Sequence, residues 1–245
     1  MRHLTGQDEI AFHAATGPTG RHARLAGLVA GLGLAEADLL PGLSLAEWEG
    51  LLLDLLVALD GPRIDAEARC PACGVGNSLI FPVRDLPREP AASPVLNGRA
   101  LHLHLADLLA LEAEGLEGEA GLSRLLSAAT ELGKAETVRQ LWGPDRDAAI
   151  LALEQAAAGL GLEIATACTG CGEPITLPFD VADYVDAELR NRAQRLLDEV
   201  HLIALSYHWS EAEILSLPHA RRQDYLRRIL ASQVLSAGAG RAEGG

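Results

Sequence analysis

Cys70-Pro71-Ala72-Cys73-Gly74 and Cys168-Thr169-Gly170-Cys171-Gly172 are two copies of one short pattern, C-x-x-C-G, and together they hold all four cysteines of the 245-residue chain. Such a pattern is a knuckle: a tight turn that aims two sulfurs at one point, with a glycine where the chain bends back. The likeness extends outward. With the sequence shifted by 98 residues, Ile64 falls on Leu162, Phe81 on Phe179, Val83 on Val181 and Asp85 on Asp183. Upstream, Leu53 meets Leu151, Leu55 meets Leu153 and Gly61 meets Gly159, without a gap. Each half reads as helix, short strand, knuckle, short strand, which is the signature of an internal duplication.

A zinc ion takes four ligands in a tetrahedron and one knuckle supplies two. The economical arrangement is a single structural Zn²⁺ held by Cys70, Cys73, Cys168 and Cys171, clipping parts of the chain almost a hundred residues apart. Three other readings compete with it: unrelated buried thiols, a redox-active pair, and pairing of each knuckle with another subunit. A thioredoxin-like C-x-x-C opens a helix after a strand. Here strand-like residues follow instead, Ser78-Leu79-Ile80-Phe81 and Ile175-Thr176-Leu177.

Composition sets the frame. Apolar residues make up 49% of the chain but aromatics only 4%. Leu and Ala dominate, which favours packed helices over a β-sandwich. Lys134 is the only lysine, and the Ala/Leu/Arg/Gly bias is that of a GC-rich bacterial coding sequence. The formal net charge of −14 repels phosphate backbones. It weighs against the nucleic-acid adaptor that a zinc ribbon otherwise suggests; only Arg63, Arg69 and Arg84 lie near the first knuckle and no basic residue lies near the second. The start Met1-Arg2-His3-Leu4-Thr5 has no apolar secretory core and no run of 18 apolar residues occurs, so a cytoplasmic protein without a membrane span is expected. Paired C-x-x-C motifs suit a reducing cytosol.

In chain order, Thr5 caps a helix running through Ala14, and a second helix runs from about Arg21 to Ala30. Ser44-Leu45-Ala46-Glu47 is a capping box opening a helix through Leu59, with Leu51, Leu52, Leu55, Leu56 and Leu59 as its buried face. The first knuckle then sits at the turn of a hairpin. Pro87, Pro90 and Pro94 make an irregular connector, and Arg99 to Leu105 alternates apolar residues with His102 and His104, which predicts a strand beside that hairpin. His102 and His104 are weighed as metal ligands against a solvated strand face. Residues 106–142 read as helical with glycine breaks, and Glu112, Glu114, Glu117 and Glu119 as a solvated acidic face. The second unit's helix starts at Pro144-Asp145 and ends near Gly159 or Gly161. From Asp186 a long helix follows the three-four spacing of Leu189, Ala193, Leu196, Val200, Ile203 and Tyr207. Ser210 caps a fresh helix with Glu213 reaching back and Trp209 stapling onto Ile214. Pro218 fits the first turn of a last helix through about Leu235, and the Gly/Ala-rich tail is expected to be disordered.

The fold expected is therefore α+β and mainly α-helical, with duplicated helix–strand–knuckle–strand units forming a small zinc-ribbon-like β element ahead of C-terminal helices. Its divisions are an N-terminal helical segment (1–40), a first helix-plus-knuckle unit (41–105), a helical connector (106–142), a second such unit (143–185), a C-terminal helical docking segment (186–235) and a tail (236–245).

Catalytic apparatus is not visible: there is no G-x-x-x-x-G-K-[ST], no H-E-x-x-H and no G-x-S-x-G. His201, beside Asp198 and Glu199, reads as a helix-packing histidine before it reads as a proton-transfer group. Tyr207, Trp209 and Tyr225, with Arg221 and Arg222, are candidate partner-binding residues, because Tyr, Trp and Arg anchor interfaces. The competing reading has Trp209 stapling its own helix and Tyr225 filling local core. Arg221, Arg222, Arg227 and Arg228 form a basic patch on an acidic chain.

The stretch from Cys168 to Leu226 resembles a family encoded in contractile phage tails and phage-derived contractile injection systems, that of baseplate or tail-assembly proteins. The resembling residues are Cys168-x-x-Cys171-Gly172, Pro178-Phe179-Asp180, Arg195 to His201, Tyr207-His208-Trp209-Ser210-Glu211, Ile214-Leu215, Arg221-Arg222 and Tyr225-Leu226. The Cys70 knuckle with its preceding helix resembles that family's N-terminal half more loosely. The chain departs from it at Tyr184-Val185-Asp186, where an aromatic Phe-Leu-Trp-like segment is usual, and at His208, where glycine is common. The resemblance implies a structural or assembly protein that binds protein partners in a tail or baseplate, incorporated into a phage tail-like particle or assisting its assembly; the missing catalytic motifs, the acidic charge and the lack of a long apolar run add the expectation of a non-enzymatic role with no nucleic acid, membrane or small-molecule substrate.

Overall fold

Three Ser/Thr-x-x-Asp/Glu boxes start helices where the sequence places them. Thr5 and Asp8 open α1 (Gly6–Ala14), Ser44 and Glu47 open α3 (Leu45–Asp60), and Ser210 and Glu213 open α8 (Glu211–Leu215), each with reciprocal side-chain to backbone bonds. The computed structural model describes residues 4–15, 20–86, 94–130, 137, 143–156 and 162–242, except for the side chains of 60 and 233–242. The other elements are α2 (Arg21–Gly31), β1 (Arg63–Arg69), β2 (Gly76–Pro82), β3 (Val95–Leu96), β4 (Arg99–Ala100), α4 (Leu105–Glu114), α5 (Gly118–Thr130), α6 (Arg146–Ala156), β5 (Leu162–Ala167), β6 (Pro174–Phe179), α7 (Val181–Tyr207) and α9 (His219–Ala242). The protein is thus mainly helical, with three antiparallel two-stranded sheets among the described residues.

The chain divides into two compact units, one spanning Gly17–Asp186 and the other joining His3–Thr16 to Ala187–Gly245. The N-terminal helix α1 therefore belongs with the C-terminal helices, a grouping that the six sequence segments did not anticipate. Its Glu9 binds Arg192 of α7 at 3.0 Å, and Gly6 leaves room that a Cβ would take from Leu196. The core of this second unit is Leu196, Val200, Ile203, Ile214, Leu226 and Ile229, with Ile10 packed against it.

In the first unit, α3 buries Trp48, Leu52, Leu53, Leu55 and Leu56 completely, while Leu51 and Leu59 are only half-buried. A second cluster joins Leu45, Leu96, Leu101, Leu103 and Leu108 to Leu126, Ala149 and Leu153. The β1–β2 and β5–β6 hairpins share a register: Ile64 faces Phe81 and Leu162 faces Phe179, and Arg69 faces Gly76 as Ala167 faces Pro174. Between them lies a small apolar cluster of Ala68, Leu79 and Ile175 with two of the cysteines. Phe81 meets Phe179 edge-on at 5.8 Å. The hydroxyl of Tyr184 accepts from the Asp65 N–H and donates to the Asp65 carbonyl, closing the outer edge of β1 at that point.

Several expectations need correction. Arg99–Leu105 is not a strand beside the first hairpin: Arg99–Ala100 pairs with Val95–Leu96, His104 bridges Ser44, and α4 begins at Leu105. The alternation is real as burial, with Leu101, Leu103 and Leu105 inside, because the segment lies against helices and not in a sheet. The long helix starts at Val181 and not at Asp186, since the Asp180 carboxylate accepts from the Asp183 N–H and caps it. Pro82 holds the equivalent place in the first hairpin and offers no cap, so the chain makes only one 3₁₀ turn at Val83–Asp85. Pro218 precedes α9 instead of lying in it, and α9 continues into the expected tail as far as Ala242. Glu112 is not part of a solvated face: its carboxylate accepts from the backbone N–H of His22 and Ala23. The connector at Pro87 and Pro90, the helical reading of 131–136 and 138–142 and the helix end near Gly159 or Gly161 lie outside the described residues.

Candidate metal centre

Each knuckle is built by the same two backbone bonds. The Cys70 N–H donates to the Val75 carbonyl and the Gly74 N–H to the Cys70 carbonyl, both at 2.9 Å; Cys168 with Glu173, and Gly172 with Cys168, repeat this at the same distance. Gly74 and Gly172 close the turns at φ +74° and +77°, left-handed values that a side chain would strain. The turns point both cysteines of a pair to one side, and the two hairpins bring the pairs together.

All four Sγ atoms lie within 4.8 Å of one another. The contacts across the knuckles are Cys70–Cys171 at 3.7 Å and Cys73–Cys168 at 3.6 Å. A disulfide needs about 2.05 Å, so these are four free thiols. A tetrahedral ion with metal–sulfur bonds of about 2.3 Å sets its ligands about 3.8 Å apart, close to what the sulfurs adopt. Cys70 and Cys168 are buried, and Cys73 and Cys171 are exposed. Among the described residues this is the one group of three or more metal-ligating side chains brought together. His102 is exposed and His104 caps α4, with its N–H on Asp107, so neither joins it.

The electrostatics fit a site that holds a cation. Backbone N–H groups of Cys171 and Gly170 stabilise the Cys168 thiolate and bring its pKa down to about 6. At Cys171 the Glu173 backbone lowers the pKa, but the neighbouring thiols of Cys73, Cys70 and Cys168 outweigh it and push the group up to about 12. Four thiolates in such proximity repel one another, and a divalent cation bound among them would offset that repulsion and hold all four deprotonated. A closed tetrahedron of sulfurs around an ion would leave no position for water or substrate.

Sequence reasoning missed the side chain that ties the knuckles together. Asn77, buried on β2, donates to the Val75 carbonyl at 2.9 Å and accepts from the Thr169 N–H and hydroxyl at 2.8 and 2.9 Å. The signal was present: positions 77, 79 and 81 lie on the inward face of β2, and a polar residue there needs a partner.

The partner-binding candidates lie in the second unit. Tyr207, Trp209 and Tyr225 are half-buried and form a mutual cluster with ring centroids 4.9–5.3 Å apart, against the core of that unit. Arg221 is exposed. Arg222 is buried, with Nε on Glu199 at 2.9 Å and Nη1 on the Leu217 carbonyl at 2.7 Å, and Arg227 pairs with Asp224, so the basic patch is smaller than the sequence suggested. His201, expected to pack between helices, is exposed. Among the described residues no helix is long and apolar enough to cross a membrane. Comparison with known proteins gives no family model, no characterised protein and no solved structure that matches the chain.

Proposed function

We propose that this chain is a non-enzymatic structural or assembly protein whose two knuckles are copies of one duplicated unit and share one structural Zn²⁺ on Cys70, Cys73, Cys168 and Cys171. The observation that carries the reading is the convergence of four sulfurs, from loops about a hundred residues apart, to tetrahedral spacing. The matching registers and turn bonds of the two hairpins support the duplication. The setting we propose is the baseplate of a contractile tail or injection system in a bacterial cytoplasm, where the C-terminal helices bind protein partners; its support is the resemblance of residues 168–226. Of the partner-binding candidates, Arg221 is the exposed charge and Tyr207, Trp209 and Tyr225 are the half-exposed rings, so these four carry the proposed contact.

Two experiments test the two parts. Elemental analysis of reduced, purified protein is expected to give about one zinc per chain, as one tetrahedral site requires; two per chain, or none, excludes a shared site. Deletion of the gene from a strain that makes tail-like particles is expected to abolish them, and normal particles from the deletion strain would rule out the assembly role.

A further inference from the structure

The two knuckles are alike in backbone but not in what holds them. In the shifted alignment Asn77 corresponds to Ile175, and both are buried, at 4% and 3% exposure. Ile175 offers only an apolar surface. Asn77 carries two donors and an acceptor with two lone pairs, and all of these are used. One N–H goes to the Val75 carbonyl, which itself receives the Cys70 N–H. The same nitrogen, Nδ2, lies 3.8 Å from the Cys168 Sγ, within reach of a weak N–H···S bond through its other hydrogen. The oxygen takes both donors of Thr169. These partners also fix the amide's orientation, since the Thr169 N–H must face oxygen and the Val75 carbonyl must face nitrogen. Cys168 receives a further N–H from Gly170 at 3.3 Å. Gly170 is in turn the point where the knuckles touch: a Cβ there would sit 3.1 Å from Cγ2 of Val75. The first hairpin therefore holds the second knuckle, and no side chain of the second hairpin returns the same set of bonds among the described residues.

We propose that Asn77 is a positioning residue of the metal centre: its amide sets the turn at Thr169 and orients the Cys168 thiolate for ligation, so that the second knuckle is preorganised by the first. This rests on the metal reading above. A partner that orients a ligand in this way typically contributes about 10- to 100-fold in metal affinity. The N–H···S bond also lowers the energy of the sulfur lone pair, which places the thiolate-to-metal charge-transfer band of the cobalt(II) form at shorter wavelength than an unbonded thiolate would give.

The test uses the full-length reduced chain with cobalt(II) and zinc(II) as probes. Asn77→Ile installs the residue of the twin position; Asn77→Asp keeps the acceptor for Thr169 and removes the donor to sulfur. Both are expected to bind zinc about 10- to 100-fold more weakly in competition with a chromophoric chelator, to release it faster, and to shift the cobalt charge-transfer band to longer wavelength. Thr169→Val, which leaves its backbone N–H in place, is expected to weaken binding only a few-fold and to leave the band unmoved. Wild-type protein that binds neither metal would remove the metal reading itself. Wild-type binding with unchanged affinity and band position in both Asn77 variants would overturn the role of Asn77 and leave the site standing. Should Asn77→Ile not fold, Asn77→Asp and Thr169→Val carry the decision.

Discussion

Glu49 is a charge in the wrong place. It lies on α3 with 4% of its surface exposed, and its Oε1 finds no hydrogen-bond partner among the described residues. Burial, and then the field of Asp180, pushes its pKa from 4.5 up to about 8. Between those values the folded chain holds a proton that the unfolded chain has released, so stability is greatest below about pH 4.5 and is lost as pH rises toward 8. The cost at alkaline pH is on the order of a few kcal/mol. Glu49→Gln is expected to raise the urea midpoint at about pH 8 and to flatten its decline above about pH 5; an unchanged midpoint would mean that the carboxyl reaches water. The sequence carried this signal, for Glu49 stands three, four and seven residues from Leu52, Leu53 and Leu56, on the buried stripe. Nearby, His22 takes the Trp48 indole N–H on Nδ1 at 3.2 Å, and burial followed by the Arg21 charge lowers its pKa. No periodicity exposes that pair, because each residue is ordinary on its own helix and only the packing makes them partners.

At the scale of elements, local signals were legible and distant ones were not. The caps at Thr5, Ser44 and Ser210 rest on signals within four residues of sequence and are legible there, and so are the paired strands on either side of each C-x-x-C turn. The start of α2 is capped from 90 residues away: Gly20 has no side chain to offer, and Glu112 of α4 occupies the space a Cβ would need. Glu112→Ala is expected to lower stability by about 1–2 kcal/mol in thermal or urea unfolding, because two N–H groups lose their acceptor at a helix N-terminus; Glu112→Gln should retain most of it, and equal loss in both would assign the effect to charge alone. The end of α7 gives a complementary case. His208 sits at φ +57° with its N–H on the Ala204 carbonyl, a left-handed helix stop that glycine accepts without strain. His208→Gly is expected to raise stability by up to about 1 kcal/mol. A fall in stability would show that the imidazole makes contacts worth more than the backbone strain. Arg222 illustrates the opposite failure of local reading: beside Arg221 it looks like surface charge, yet its guanidinium is consumed by Glu199 and Leu217.

For the whole molecule the decisive question is what holds two small hairpins together. Their shared apolar cluster is limited to residues such as Ala68, Leu79 and Ile175, backed by Phe81, Ile164 and Leu177. Two-stranded sheets are marginal on their own in water. The sulfur contacts join residues 101 and 95 positions apart, and closing loops of that length costs chain entropy. A structural zinc on these four sulfurs would contribute on the order of 10 kcal/mol at neutral pH. Two consequences follow if one ion serves both knuckles. Chelation should make residues 63–82 and 162–179 the first sites of limited proteolysis, with re-addition of zinc restoring protection. Cys70→Ser and Cys168→Ser should be almost equally damaging, since each removes one ligand from the same tetrahedron, although one lies in the first hairpin and the other in the second. The chain's net charge of −14 sharpens the comparison, because unliganded thiolates would add to an already repulsive molecule. The discriminating result is an unequal pair: if Cys70→Ser left zinc content and protease protection intact while Cys168→Ser abolished both, the knuckles would be independent and the clip between the hairpins would have to be apolar after all.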